Sequence, residues 1–338
     1  MALTKFIVRR FLNYAILAFI ATSLAYILAS SLLHPQEVMY PPNLVGGKPV
    51  PHEVQQAYFD VRNINPDVSV WQRYLTWLTD IFTKPWDEKF GVTTGTDKKA
   101  LLVMPEIVSR VGISLRLIVL GTLLGVVAGV ALGAWSAVKR GTFTDRTVSL
   151  LSFVVLALPT PVIILCFQGA NMAMRGVTGF GFPSVNAIDP NAVPGSWDDI
   201  SFQLKALVLP TLALALMGIA SYSRYMKVTT LDVLGADYLR TARAKGLTKG
   251  KAMRRHGFRM ALIPMGQYFA YAFAGAFTGS FFVERLFNWQ GIGNWALVEM
   301  QIADINGTAA VVLYSAILTL LAATLADFIQ AVLDPRIR

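Results

Sequence analysis

The chain has 338 residues, of which 54% are hydrophobic and only 15% are charged, and its formal net charge is +10. An average soluble domain carries about 25% charged residues, and several apolar stretches here reach the roughly 20 residues that a helix needs to cross a bilayer. These values exclude a soluble enzyme, a DNA-binding domain and a disordered scaffold. The sequence predicts an all-α integral membrane protein.

Six apolar stretches predict six membrane-crossing helices. The first follows a basic amino terminus that contains Lys5, Arg9 and Arg10. Its apolar run of about 23 residues favours a membrane helix over a cleaved signal peptide. In chain order, the predicted crossings are residues 11–33, 113–138, 148–170, 204–222, 261–283 and 305–333.

The charges of the connecting segments predict the orientation. Segments rich in Lys and Arg stay on the cytoplasmic side of a membrane. The basic segments are the amino terminus, the 139–146 turn, the 224–259 loop and the carboxyl-terminal tail. The segments without such an excess are 34–105, 173–203 and 284–305. We therefore expect both termini on the cytoplasmic side.

The segment after the first crossing, residues 34–105, is too long for a bare connection. It is rich in Pro and Asn, and Trp71, Tyr74, Leu75 and Leu78 recur in it at helical spacing. It forms either a small extracellular cap on the helix ends or a docking surface for an extracellular partner. The predicted regions are 1–33, 34–105 and a five-helix membrane core 106–338, within which 224–259 is a cytoplasmic loop.

Glycines predict close helix packing in two crossings. Small residues four apart share one helix face and let a second helix approach closely. The glycines with this spacing are Gly121, Gly125, Gly129 and Gly133 in the second crossing, and Gly275 and Gly279 in the fifth.

Prolines predict kinks in the crossings, because each proline removes a backbone hydrogen bond of its helix. Pro159 and Pro161 lie in the third crossing, Pro210 in the fourth and Pro264 at the start of the fifth. Static packing and hinge motion both explain such kinks.

No group of residues is typical of a catalytic or metal site. Cys166 is the single cysteine, and the three histidines are far apart in the sequence. Residues 246–252 superficially resemble a phosphate-binding loop, but the glycine spacing is one residue short. Ala252 also stands where such a loop needs a hydroxyl ligand for magnesium. We expect no enzymatic activity, no metal and no cofactor bound by this chain.

Most of the positive charge lies in the 224–259 loop. This segment contains ten basic residues, opposed only by Asp232 and Asp237, and therefore carries +8 of the net +10. A loop on anionic lipid headgroups and a rigid lever on the cytoplasmic side are both compatible with this charge.

The helical pattern of the 224–259 loop favours the lever. Leu231, Leu234 and Tyr238 fall on one helical face, and the helix is expected to end near Gly246. A second short helix is predicted from Thr248 to around residues 256–257. Two short helices anchored by long membrane helices would move as one rigid piece.

The loop resembles that of a known family. The matching residues are DYLRTARAKGL at 237–247, Arg255-His256 and ALIP at 261–264. They resemble the cytoplasmic loop of binding-protein-dependent ABC importer permeases of the dipeptide/oligopeptide type. Further matching stretches are ERLFNWQGIG at 284–293, Ala326-Asp327 and LDPRIR at 333–338. Arg240-Thr241-Ala242 replaces the Glu-Ala-Ala of the general importer motif, a departure that the peptide branch shares.

The resemblance, which covers about 109–338, implies a six-helix type I importer permease with an extracellular insertion after the first helix. Such a chain is a non-catalytic subunit in a bacterial plasma (inner) membrane. Its implied partners are a second, different permease, two ATPase subunits that use ATP and Mg, an extracellular substrate-binding protein and a peptide substrate. The residues implied to contact the ATPase are Tyr238, Ala242, Arg243, Ala244, Gly246 and Leu247. We expect Gly246 to let the two short helices approach each other closely.

Two other functions remain open at this point. A permease of the same type could carry another solute, such as a nickel chelate, glutathione or a glycoside. A secondary transporter or channel acting alone is less compatible, because it would be expected to show paired intramembrane charges or inverted repeats.

Overall fold

The structure is a computed structural model, and it describes residues 2–39, 51–94 and 101–333. The described residues are helical apart from their connections and one isolated antiparallel bridge between Val92 and Leu102. The helices are α1 Ala2–Leu32, α2 Pro35–Met39, α3 His52–Val61, α4 Val70–Thr83, α5 Val103–Val138, α6 Phe143–Ala157, α7 Thr160–Thr178, α8 Trp197–Leu234, α9 Asp237–Ala244, α10 Lys249–Ala252, α11 Phe258–Leu286, α12 Ile292–Gln301 and α13 Ile305–Leu333.

The long helices agree with a polytopic membrane protein. Within the described residues, four helices contain a stretch that is long and apolar enough to cross a membrane: Phe11–Leu32, Val103–Val138, Trp197–Leu234 and Ile305–Leu325. The helix pair α6 and α7 adds a fifth if it is one broken span. The all-α membrane class is confirmed. The count of six crossings stays a prediction, and α11 occupies the predicted position of the fifth.

The third predicted crossing is broken more sharply than its prolines predicted. Helix α6 ends at Ala157, Leu158 is extended with ψ 134°, and α7 begins at Thr160 at an angle of 108° to α6. Leu158 precedes Pro159, and a residue before proline avoids the helical region. Pro210 and Pro264, by contrast, lie inside the continuous helices α8 and α11.

The chain divides into two compact units. The first comprises Met1–Ile113 with Gly291–Leu320, and the second comprises Ser114–Gln290 with Leu321–Arg338. This division follows packing within the chain and does not test the sequence regions 1–33, 34–105 and 106–338, which stay predictions.

In the first unit, residues 51–94, called the cap segment below, are tied to the start of α13. Asp304 caps α13 by accepting from the amide of Gly307 at 2.8 Å, and its other carboxylate oxygen accepts from the Thr94 hydroxyl at 3.0 Å. The Asn306 amide donates to the carbonyls of Arg62 at 2.9 Å and Val92 at 3.0 Å. The 34–105 region therefore contains a folded structure, at least over its cap segment.

In the second unit, α8 lies against the glycine stripe of α5. A Cβ built at Gly121 would lie 2.6 Å from Leu214, and one built at Gly125 would lie 3.2 Å from the Cα of Gly218. Cβ atoms at the other two stripe positions, Gly129 and Gly133, would overlap with Tyr222 and with the backbone of Ser223. Only glycine leaves room for backbones this close.

The predicted glycine pair of α11 has different surroundings. A Cβ at Gly275 would meet nothing within 4 Å. The surroundings of Gly279 lie outside the described residues. A packing role for this pair therefore stays a prediction. At Gly275 the packing partner would have to come from outside the described residues of this chain.

Candidate functional site

The 224–259 loop begins with the end of α8 and the short helix α9. Helix α8 ends at Leu234 and α9 starts at Asp237, so the single helical face predicted through Leu231, Leu234 and Tyr238 is interrupted. The side chain of α9 that points into the protein is Leu239, which is 2% exposed, whereas Tyr238 is 42% exposed. The sequence pattern missed Leu239 because it assumed one continuous helix across Gly235.

Gly246 ends α9 with a Schellman motif. Its φ is +92°, its amide donates to the carbonyl of Arg243 at 2.9 Å, and the amide of Leu247 donates to the carbonyl of Ala242 at 3.3 Å. This pair of bonds satisfies carbonyls that the last turn of a helix would otherwise leave free, and it favours glycine at the left-handed position. The predicted helix end near Gly246 is confirmed.

The expected reason for Gly246 was wrong. A Cβ at Gly246 would meet nothing within 4 Å, so this glycine does not bring two helices together. Its positive φ is what demands glycine. The close approach occurs at Gly257, where a Cβ would overlap with the sulfur of Met253 and lie 3.0 Å from Val233 and 3.2 Å from Leu239.

The second short helix is not a separate element. Helix α10 spans Lys249–Ala252, a π-helical turn follows over Met253–Gly257, and α11 continues directly from Phe258. The predicted end around residues 256–257 therefore does not occur. Helix α10 continues through the π-helical turn into α11 without a break.

An apolar cluster anchors the loop to the membrane helices. Its buried members come from α8, α9, α10 with the following turn, and α11: Tyr222, Met226, Leu239, Ala252, Met253, Ala261 and Met265. Side chains of α5 and the ring of Tyr268 pack against it. Tyr268 stacks on Tyr225 with centroids 4.4 Å apart and meets Tyr222 edge-on at 5.6 Å. The loop is thus packed firmly on helices of its own unit.

The six residues implied to contact an ATPase divide into two groups. Arg243, Ala244 and Gly246 are exposed around the carboxyl end of α9, and Tyr238 is exposed at its amino end. Ala242 and Leu247 are partly buried against the apolar cluster. The exposed surface is cationic, since its basic residues include Arg240, Arg243, Lys245, Lys251, Arg254 and Arg255. Partial burial raises the pKa of the Tyr238 hydroxyl above its ordinary value of 10.0.

An ion pair between the partly buried Lys227 and the buried Asp145 links α8 to the first turn of α6. The ammonium of Lys227 lies 2.5 Å from the carboxylate of Asp145 and donates to the Ser149 hydroxyl at 2.8 Å. Asp145 also accepts from the Ser136 hydroxyl at 2.5 Å and from the amide of Gly141 at 3.0 Å. Sequence reasoning missed this pair, because its members are far apart in the chain and no motif marks either of them.

Comparison with known proteins identifies the family of the chain. Residues 129–338 match the family described as "Binding-protein-dependent transport system inner membrane component". The chain belongs to this family.

Individual relatives are permeases of peptide transport systems. The chain is 39% identical over 340 residues to the oligopeptide transport system permease protein OppB of Mycobacterium tuberculosis (strain ATCC 25618 / H37Rv), covering 99% of each. It is 30% identical over 268 residues to the oligopeptide transport system permease protein AppB of Bacillus subtilis (strain 168), covering 78% of this chain and 79% of AppB. It is 27% identical over 285 residues to the dipeptide transport system permease protein DppB of Escherichia coli (strain K12), covering 80% and 82%.

Proposed function

We propose that this chain is the permease subunit of an ATP-driven importer that carries peptides across the bacterial plasma membrane. The full-length similarity to an oligopeptide permease supports the substrate class. The observation that carries the coupling role is the exposed cationic end of α9, which rests on a cluster shared with the membrane helices α8 and α11. Both termini and the 224–259 loop lie on the cytoplasmic side in this proposal.

The proposed assembly contains a second, different permease, two ATPase subunits and an extracellular substrate-binding protein. The ATPase subunits bind and hydrolyse ATP with Mg, and this chain has no catalytic role. Each permease presents its loop to one ATPase subunit. The translocation pathway lies between the two permeases.

In this proposal the packing of the loop transmits a displacement of its exposed surface to the membrane helices. Closure of the ATPase dimer displaces the surface formed by Tyr238, Arg243, Ala244 and Gly246. Because α10 continues through the π-helical turn into α11, this displacement tilts α11. The apolar cluster transmits the motion to α8. The glycine contact then transmits it from α8 to α5, and the Lys227–Asp145 pair transmits it from α8 to α6.

Reconstitution tests the proposed function. The chain is co-expressed with candidate partner permease, ATPase and binding-protein genes, purified, and inserted into liposomes with ATP inside and binding protein outside. We expect ATP-dependent accumulation of a labelled oligopeptide that unlabelled peptides inhibit. A nickel chelate, glutathione or a glycoside should not compete. The same chain without ATPase subunits should accumulate nothing.

Two results would contradict the proposal. Accumulation by the chain alone would make it a stand-alone transporter. ATP-driven accumulation of a different solute, with no inhibition by peptides, would keep the importer but overturn the substrate.

A further inference from the structure

Helix α4 of the cap segment has three faces. The residues of the first face are buried: Arg73, Tyr74 and Trp77. A second face is polar and exposed: Gln72, Thr76, Thr79 and Thr83. The third is an apolar stripe with the spacing i, i+4, i+7 and i+11, which places its members on one side of a helix: Trp71, Leu75, Leu78 and Phe82.

The apolar stripe is open in the described structure. Trp71 is 61% exposed, Leu75 is 44% exposed and Phe82 is 73% exposed. Trp86, just beyond the helix, is 63% exposed. A contiguous exposed apolar surface marks a place where a protein meets another apolar phase.

The buried face of α4 packs on the membrane helix α1. The ring of Trp77 stacks on Tyr26 with centroids 4.6 Å apart. The Tyr74 hydroxyl donates to Ser23 at 3.0 Å, and the Arg73 guanidinium donates to the carbonyl of Ser30 at 3.1 Å. These contacts fix α4 against α1 between residues 23 and 30.

This contact region lies inside the apolar span of α1 rather than beyond its end. The span runs over Phe11–Leu32. Tyr26 precedes Leu32 by six residues, which at the helical rise of 1.5 Å places it about 9 Å inside the end of the span. Amphipathic helices at a membrane surface bury their apolar face to about that depth, roughly 5–10 Å into the headgroup and acyl-chain boundary.

Helix α1 also has an exposed apolar face. Leu24, Leu28 and Leu32 are 53%, 56% and 69% exposed and lie on the side of α1 away from Tyr26. On α4 the apolar stripe adjoins the face that contacts α1, and the polar face adjoins the other edge of the stripe. This order of faces, protein then lipid then water, is the one expected for a helix lying in a membrane interface.

We propose that α4 lies in the bilayer interface near the Leu32 end of α1, with Trp71, Leu75, Leu78 and Phe82 inserted among lipid acyl chains. In the proposed orientation this is the outer leaflet. Its aromatic residues suit the boundary between headgroups and acyl chains. Only the polar face of α4 then remains accessible to a water-soluble partner. The 34–105 region is thus partly a membrane anchor and not solely an extracellular cap.

Nitroxide accessibility tests this placement in the assembled transporter in lipid nanodiscs. Because Cys166 is the single cysteine, Cys166→Ser gives a background for one label at a time. Labels at Leu75→Cys and Phe82→Cys should collide several-fold more with oxygen, which concentrates in lipid, than with a water-soluble nickel chelate. Leu28→Cys is the lipid control and should behave in the same way. Gln72→Cys and Thr79→Cys, on the neighbouring face of the same helix, should show the opposite preference.

Two outcomes would overturn the proposal. Nickel-chelate access at Leu75 equal to that at Thr79 would place the stripe in water. Protection of Leu75 and Phe82 from both reagents would mean that protein covers the stripe, either the second permease or the binding protein.

Photolabelling provides a second measurement on the unsubstituted protein. A phospholipid with a carbene precursor in its acyl chain should label the stripe as well as Leu24 and Leu28. Labelling of α1 without any labelling of α4 would also overturn the proposal.

Discussion

The cap segment and the 224–259 loop are attached to membrane helices by different kinds of contact. The cap combines the stacking of Trp77 on Tyr26 with buried polar side chains that bond to backbone groups, such as Asn306 to Arg62 and Val92, and Arg73 to Ser30. The loop is held by an apolar cluster around Met226, Leu239 and Met253. Hydrogen bonds are directional and favour one position, whereas apolar contacts are non-directional.

The two segments are therefore suited to different roles. A segment held by directional bonds should keep a fixed place on its helix, as a membrane anchor or docking platform requires. A segment held by apolar contacts can rock while it stays buried, as a lever requires.

The largest effect is expected at the tip of the loop. Gly246→Trp should reduce peptide uptake by about tenfold or more. The bulky side chain would lie on the surface that we propose contacts the ATPase, and it would separate the loop from the ATPase subunit. The variant should still insert into the membrane, since a Cβ at this position meets nothing within 4 Å. Uptake in proteoliposomes and the amount of co-purified ATPase measure both expectations.

Gly179→Trp is the matched control for this variant. Gly179 has φ +71° and, like Gly246, open space around its Cβ and a place at the end of a helix, but it lies in the segment between α7 and α8. Both substitutions impose similar backbone strain, so equal losses of uptake at the two positions would attribute the effect to strain and remove the support for the lever.

A smaller effect, on stability, is expected at the cap. Asp304→Ala removes the cap of α13 and the bonds to Thr94, and it should lower the free energy of unfolding by about 3 kcal/mol. Denaturant titration of the purified chain in detergent measures this. Asp87→Ala, at an exposed position of the same unit, should change it by less than about 0.5 kcal/mol. If the two variants were equally stable, directional bonds would not be what holds the cap.

A pH dependence is expected from Glu299, in the short helix α12 of the same unit. Burial, and then the negative charge of Asp304, raise the pKa of the Glu299 carboxyl above its ordinary value of 4.5. The folded protein therefore binds a proton that the unfolded chain releases above about pH 4.5. The stabilisation from this group is complete below that pH and is lost as the pH rises through the raised folded-state pKa.

Unfolding of the chain at a series of pH values between 5 and 9 checks this sign. Stability should fall as the pH rises, and Glu299→Gln, which is neutral throughout, should flatten the dependence. An unchanged slope in the Gln variant would show that Glu299 is ionised in the folded protein.

The sequence predicted the all-α membrane class and the order of the long helices, because runs of apolar residues carry that information directly. It also predicted the end of a helix near Gly246, because the local sequence there has a capping pattern. It misplaced the close contact, which lies at Gly257. That contact depends on where Val233 and Leu239 arrive in space, and no local pattern reports this.

Two other features were beyond sequence reasoning for the same reason. The Lys227–Asp145 pair joins residues of different helices. The placement of α4 depends on the stacking of Trp77 on Tyr26. The spacing of Trp71, Leu75 and Leu78 was visible in the sequence, but it gave no sign of which neighbour would cover them.

Crosslinking tests whether the exposed end of α9 contacts an ATPase. Ala244→Cys in the Cys166→Ser background carries a short photocrosslinker in the purified assembly, and Val193→Cys, 74% exposed in the loop between α7 and α8, serves as the control. We predict that Ala244→Cys captures the ATPase subunit with a yield that changes between the nucleotide-free and ATP-bound states, whereas Val193→Cys does not capture it. Failure of Ala244→Cys to capture an ATPase in either state, in an assembly that transports peptide, would contradict the account.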